Sequence, residues 1–191
     1  MTAPILLASA SPRRRELLAH LGRPFTCTRV DADETPLPGE TPQGMVIRLA
    51  EMKARAAHHN PHGVTIGADT VVTLDGIILG KPVDADDAAR MLARLQGRDH
   101  TVWTGVAVLG PGDRSDVLAE ATRVWFRPMT HAEIDAYVAT GEPLDKAGAY
   151  GIQEKGARFV EKVEGDYFTV VGLPLCRLGT MLDQALGPAS V

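Results

Sequence analysis

The chain has 191 residues, 45% of them hydrophobic and 23% charged, which is enough apolar material for a buried core. Its 20 lysines and arginines face 24 acids, for a net charge of −4, and both signs are mixed along the sequence, which argues against a nucleic-acid partner needing a broad basic surface. No run of about 18 apolar residues occurs, and Met1 to Leu7 lacks a secretory pattern, so no membrane partner is expected and the expected setting is cytoplasmic.

In chain order, Ile5-Leu6-Leu7-Ala8 reads as a buried strand. Ser11 as cap and Pro12 at the first position then open a helix through Leu17 and Leu18. A second strand is expected around Phe25 to Val30, followed by the acids Asp31, Asp33 and Glu34 and a loop marked by Pro36, Pro38 and Gly39 that Glu40 closes. Thr41 and Pro42 start a helix whose apolar face is Met45, Val46, Leu49, Met52 and Ala56, with Lys53 on its last turns. Val64 to Leu74 is rich in strand formers but reads as broken by Gly67-Ala68-Asp69. Asp75-Gly76 is a hairpin turn into Ile77-Ile78-Leu79, which Gly80-Lys81-Pro82 ends.

Asp84 caps a helix bearing Ala88, Met91, Leu92 and Leu95 that stops at Gly97. Strands over about His100 to Leu109 and Val117 to Phe126 flank the Gly110-Pro111-Gly112 turn. Thr130 and Glu133 form a capping box for a helix with Ile134, Tyr137 and Val138, ended by Gly141. Glu142 to Gln153 holds too many turn formers for a regular element. Arg158 to Lys162 and Tyr167 to Val171 read as strands, and Leu173 to Leu186 as a closing amphipathic helix. The tail from Gly187 to Val191 is small and polar enough to fray. Strands and helices intermix without a strict strand-helix-strand rhythm, so the expected fold is a mixed α/β sheet flanked by helices, with residues 1–191 as a single domain.

Ser9-Ala10-Ser11-Pro12-Arg13-Arg14-Arg15 gathers hydroxyls, free backbone donors and guanidinium groups at the positive end of a helix, which suits a phosphate. The plainer reading makes Ser11 a cap and the arginines solvated. Three consecutive arginines fan around a helix, so at least one must point away from a shared ligand. Glu34, Glu40 and Asp69 lie at element ends, where converging carboxylates would hold a hard cation; singly, each reads as a cap or turn acid. Asp69, set between apolar segments, needs a partner or a task, and Lys53 and Lys81 can return to it.

Gln153 offers the donor and acceptor that a pyrimidine edge requires, and Tyr150 reads as an anchor of its glycine-rich loop. Cys27 and Cys176 have no zinc or disulfide spacing, and His58, His59 and His62 read as a solvated cluster. The phosphate-loop, dinucleotide, nucleophile-elbow and zincin motifs are all missing.

Six ordered blocks resemble one family. They are Leu7-Ala8-Ser9-Ala10-Ser11-Pro12-Arg13-Arg14, Arg48-Leu49-Ala50 before Lys53-Ala54, Ile66-Gly67-Ala68-Asp69-Thr70-Val71-Val72, Leu79-Gly80-Lys81-Pro82, Asp145 through Gln153, and Val171-Gly172-Leu173-Pro174-Leu175. The chain resembles the Maf proteins of the Maf/Ham1 group of house-cleaning nucleotide pyrophosphatases. The resemblance implies a mixed, twisted sheet with two lobes and a central cleft, and hydrolysis of a nucleoside triphosphate between its α and β phosphates with a divalent metal, Mg²⁺ or Mn²⁺. It makes Asp69 the general base and assigns phosphate binding and charge neutralisation to Ser9, Arg13, Lys53 and Lys81. Glu34, Glu40 and Asp69 become the metal acids, and Arg13, Thr70 and Gln153 the positions tied to substrate choice.

Thr70 and the intact Asp145 to Tyr150 block resemble the dTTP/UTP branch rather than the branch acting on 7-methyl-GTP. The family usually has glycine after Ile-Gln, where this chain has Glu154-Lys155; an acid there either alters base preference or faces water. The resemblance is also compatible with a homodimer. It leaves two rivals: a nucleotide-sensing regulator of cell division, and a pyrophosphatase of broader base preference.

Overall fold

A computed structural model describes residues 3–112 and 114–188 of the chain. Residues 189–191 of the tail, and residues 1–2 of the amino-terminal stretch, lie outside them. Among the described residues the strands are β1 Ile5–Ala8, β2 Phe25–Thr28, β3 Val64–Leu74, β4 Ile77–Leu79, β5 Asp99–Gly110, β6 Arg114–Phe126 and β7 Val160–Glu164. The helices are α1 Pro12–Ala19, α2 Pro42–Ala57, α3 Ala85–Leu95, α4 His131–Val138, α5 Tyr167–Val171 and α6 Leu175–Leu186. One sheet runs β2-β1-β3-β5-β6-β7, with β4 also on β3. It is mixed: β1 pairs β2 and β3 in parallel, while β3 with β4 and β6 with β7 are antiparallel.

The chain divides into two compact units, Met1–Asp69 with Thr104–Glu120 and Gly172–Val191, and Thr70–Trp103 with Ala121–Val171. In the first, Leu7, Val46, Leu49, Ile66, Leu178 and Leu182 are fully buried. Helix α2 lies close on the sheet because two strand positions are glycine. A Cβ on Gly67 would sit 2.1 Å from the Ala50 carbonyl oxygen, and one on Gly105 would sit 2.2 Å from that of Val46. In the second unit, Leu92, Val124, Phe126, Tyr137, Tyr150 and Phe159 share one core.

The local signals act as the sequence indicates at several ends. Ser11, Thr41 and Asp84 cap α1, α2 and α3 with their side chains, and Thr130 with Glu133 forms the capping box of α4. Asp75 and Gly76, both at positive φ (52° and 76°), make the tight turn between β3 and β4.

Four expectations need correction. β3 is unbroken from Val64 to Leu74, because Gly67 serves close helix approach rather than a turn. The buried face of α2 is Met45, Val46, Leu49, Ala50, Lys53, Ala54 and Ala57, whereas Ala56 is exposed. Tyr167–Val171 is a short helix, not a strand: the Asp166 carboxylate accepts from the Thr169 amide at 2.7 Å and its hydroxyl at 2.8 Å, a local cap that overrides the β-branched composition. The Arg158 to Lys162 strand is displaced to Val160–Glu164, with a 3₁₀ segment over Lys155–Phe159 before it.

Candidate functional site

The first unit builds its polar centre from the C-terminal half of α2 and the middle of β3. Lys53 falls on the buried stripe of α2 and is 7% exposed, and Asp69, which ends this unit's part of β3, is 6% exposed. The Lys53 ammonium donates to Asp69 Oδ1 at 2.6 Å and to Glu34 Oε1 at 2.6 Å. One buried cation is therefore shared by two carboxylates that stand 35 residues apart in sequence, one on an exposed loop and one in the sheet. Such a charge persists at depth only when it is paired and hydrogen-bonded. Lys53 reads from the sequence as a helix-terminal cation or a phosphate ligand; it is buried and paired with both acids.

Arg14, read from the sequence as a phosphate ligand, also braces the backbone. Its Nε donates to the Gly172 carbonyl and its Nη1 to the Ala68 carbonyl, each at 2.9 Å. It thereby fixes the strand residue that precedes Asp69. Burial lowers its pKa from the ordinary value, the negative fields of Asp69 and Glu34 oppose that shift, and the neighbouring Arg13 adds to it. Arg13 is half-buried beside it.

Before α1, the Ser11 amide donates to Ser9 Oγ at 3.2 Å and the Arg14 amide to Ser11 Oγ at 3.4 Å, so both hydroxyls shape the turn. Ser9 and Ser11 line a shallow depression with Arg15, Cys27, Thr28 and Arg29. The arginine of the triplet that borders this hollow is Arg15, which follows from the helical fan: Arg14 turns inward and Arg15 outward.

Glu40 does not join Glu34 and Asp69. Its Oε1 accepts from Arg48 Nε at 2.6 Å, its Oε2 from Arg48 Nη2 at 2.7 Å, and Oε2 also from the Leu37 amide at 3.1 Å. This two-pronged contact is the strongest arrangement open to a carboxylate and a guanidinium. The Arg48 hydrogen bond holds the Glu40 carboxyl below its ordinary range, against the opposing effect of partial burial. Among the described residues, no group of three or more His, Cys, Asp and Glu side chains is arranged to hold a metal ion. Of the three acids expected to hold a metal, Glu40 is thus engaged by Arg48 while Glu34 and Asp69 meet at Lys53.

Arg48 is the residue that sequence reasoning missed. Its field partners include Asp33 and Asp69 as well as Glu40. Its position two turns into the helix that Glu40 precedes was the available signal.

The second unit carries Thr70, Lys81 and Gln153. Thr70 follows Asp69 on β3 and is half-buried, while Lys81 and Gln153 are exposed. The Gly148 amide donates to the Gly80 carbonyl at 3.0 Å, so the segment before Gln153 is tied to the residue before Lys81. Tyr150 is an anchor, as the sequence suggests: it is 5% exposed and its hydroxyl lies 2.8 Å from His100 Nε2. Glu154 stands 3.6 Å from the ammonium of buried Lys146, which also meets Asp145 at 2.9 Å. Its carboxylate therefore has a partner and does not simply face water. His58 Nδ1 lies 2.9 Å from Thr65 Oγ1.

A mixed sheet with helices on it, a buried ammonium between two acids, and a serine-arginine helix start make up an α/β protein with its polar cluster on α2 and β3. The chain belongs to the Maf family: the family model described as "Maf-like protein" matches residues 4–185. It is 53% identical over 182 residues to a dTTP/UTP pyrophosphatase of Pelotomaculum thermopropionicum, covering 94% of this chain and 95% of that one. It is 54% identical over 180 residues to a dTTP/UTP pyrophosphatase of Moorella thermoacetica, covering 93% of each. A dTTP/UTP pyrophosphatase of Anaeromyxobacter dehalogenans is 50% identical over 188 residues, covering 97% of this chain and 95% of that one.

Proposed function

We propose that this chain hydrolyses dTTP and UTP to the nucleoside monophosphate and pyrophosphate. The observation that carries this reading is Lys53, buried and held at 2.6 Å by both Glu34 and Asp69, in a chain 53% identical to a relative named for that activity. In the proposed reaction, an Asp69 oxygen orients a water and takes its proton. The water oxygen bonds to phosphorus as the α–β anhydride bond breaks, and pyrophosphate carries away the released electron pair. Lys53 fixes the Asp69 carboxylate and, with Arg13 and the Ser9 to Ser11 turn, offsets phosphate charge. Arg14 acts at one remove by holding the Ala68 carbonyl. On the family resemblance, Lys81 contributes charge neutralisation, and Thr70 and Gln153 contribute substrate choice.

The acids fit a divalent cation. Glu34 and Asp69 converge on Lys53 with one oxygen each, and each carboxylate has a second oxygen that a cation could take beside it. Magnesium characteristically takes one or two carboxylates and completes its shell with water and substrate phosphates, so a pair suffices where Glu40 is engaged by Arg48. Bound there, Mg²⁺ or Mn²⁺ would neutralise phosphate charge and acidify water.

The test is to incubate the purified chain with dTTP, UTP, CTP and 7-methyl-GTP, scoring pyrophosphate separately from orthophosphate. Pyrophosphate from dTTP and UTP should exceed that from the others by about tenfold or more, stop with EDTA and return with Mg²⁺ or Mn²⁺. Orthophosphate as the product would refute the bond assignment. Binding without any release would favour the nucleotide-sensing regulator instead.

A further inference from the structure

The segment that carries Gln153 is held after that residue by one carboxylate, and before it by a tyrosine bonded to the same carboxylate. Glu142, half-buried at the start of a 3₁₀ turn over Glu142–Asp145, accepts from the Lys155 amide with Oε2 at 3.1 Å and from the Gly156 amide with Oε1 at 3.1 Å. The same Oε1 accepts the Tyr137 hydroxyl proton at 2.8 Å, and the Tyr137 oxygen accepts from the Gly151 amide at 3.1 Å. Gly151 and Lys155 each lie two residues from Gln153, so the chain is tied down before and after it while the Gln153 side chain stays exposed. The Glu142 carbonyl in turn accepts from Lys146 Nζ at 2.8 Å. There is no room to loosen this packing. A Cβ on Gly156 would lie 2.6 Å from both the Tyr137 hydroxyl and the Gly151 carbonyl oxygen, and one on Gly151 would lie 2.7 Å from Lys146 Cε.

The chemistry of an amide side chain explains why such fixing matters. Glutamine has one acceptor and one donor at its tip. With the carbonyl facing N3–H and the amino group facing O4 it matches a uracil or thymine edge; turned by half a turn it matches cytosine equally well. A glutamine on a loose loop therefore binds both edges, and discrimination requires a backbone fixed in place, so that neighbouring groups can hold the amide in one orientation. We infer that Glu142 is a positioning residue for base choice, acting through the Gly151, Lys155 and Gly156 amides on the exposed Gln153. This inference rests on the reading of Gln153 given under the proposed function.

The test compares kcat and KM for dTTP and CTP in the full chain and in the Glu142→Gln, Tyr137→Phe, Gln153→Ala and Glu142→Gln/Gln153→Ala variants. Glu142→Gln keeps the shape but points an amino group at one of the amides it now accepts from. Tyr137→Phe cuts only the link to Gly151 and leaves Glu142 on the other two amides. Glu142→Gln should lower the dTTP-to-CTP ratio of kcat/KM by about tenfold, through KM for dTTP with kcat little changed, and Tyr137→Phe by a smaller factor. The Glu142→Gln substitution should not move the ratio further once Gln153 is alanine. An unchanged ratio in Glu142→Gln, or an equal fall in the Gln153→Ala background, would overturn the inference. A Gln153→Ala chain that keeps the full ratio would instead remove the reading of Gln153 and the inference with it, a result distinct from failure of Glu142 alone.

Discussion

His100 is a titratable residue closed off from water, 2% exposed at the start of β5. It packs edge-on against Phe126 and Tyr150, with ring centroids 4.9 and 5.3 Å away, and its Nδ1 has no hydrogen-bond partner. Burial lowers its pKa from 6.5 to about 4, only weakly opposed by the charge of Asp99. The unfolded chain takes up this proton near pH 6.5 and the folded chain does not until about pH 4. Stability is therefore full above the first value and is lost as pH falls toward the second, by about 3 kcal/mol in total. Urea unfolding at pH 7 and pH 5 should show this loss, and His100→Phe should remove that part of the pH dependence while leaving the contribution of the acids. A native chain whose unfolding midpoint is flat over this range would contradict the assignment.

At the scale of elements, the contact of α2 with β3 determines whether Lys53 reaches Asp69. Gly67, which allows it, is not interchangeable with alanine, since the added carbon would overlap the Ala50 carbonyl and also approach the Ala54 amide to 2.7 Å. Gly67→Ala should push the helix outward, at a cost of about 1–3 kcal/mol in folding stability. Displacement of Lys53 by about 1 Å should also lower kcat on the order of a hundredfold. Thermal melting and pyrophosphate release measure the two effects, and a variant with native Tm and native rate would show that the helix does not sit as described.

This contact also marks where the sequence misleads. Gly67 within a strand pattern reads as a break, because glycine's turn-forming freedom and its lack of a side chain give the same letter. The buried lysine is hidden for a related reason. Lys53 occupies an apolar stripe at helical spacing, and only the partner strand reveals that the stripe ends in a carboxylate. The ends of α1, α2, α3 and α4 were legible because each cap lies within four residues of what it caps. Tyr167–Val171 was not, since one side-chain cap at Asp166 outweighs five strand-favouring residues.

Across the whole molecule, the legible part of the site is its list of residue types, and the illegible part is their pairing. Ser9, Ser11, Lys53 and Asp69 could be named from motif positions, but nothing in the spacing separated Glu34 from Glu40. The structure separates them by giving Glu40 to Arg48 and Glu34 to Lys53. The bracing contacts of Arg14 are likewise hidden, because its neighbours in space, Ala68 and Gly172, are 54 and 158 residues away.

The central claim is that Asp69 activates water in a nucleotide pyrophosphatase, and substitution of that one oxygen by an amide tests it most directly. Asp69→Asn keeps side-chain volume and a hydrogen-bond acceptor for Lys53 but cannot take a proton from water. With dTTP and Mg²⁺, the variant should melt as a folded protein and bind nucleotide while pyrophosphate release falls by a factor of about 10² to 10⁴. Pyrophosphate release at the unaltered rate would contradict the account.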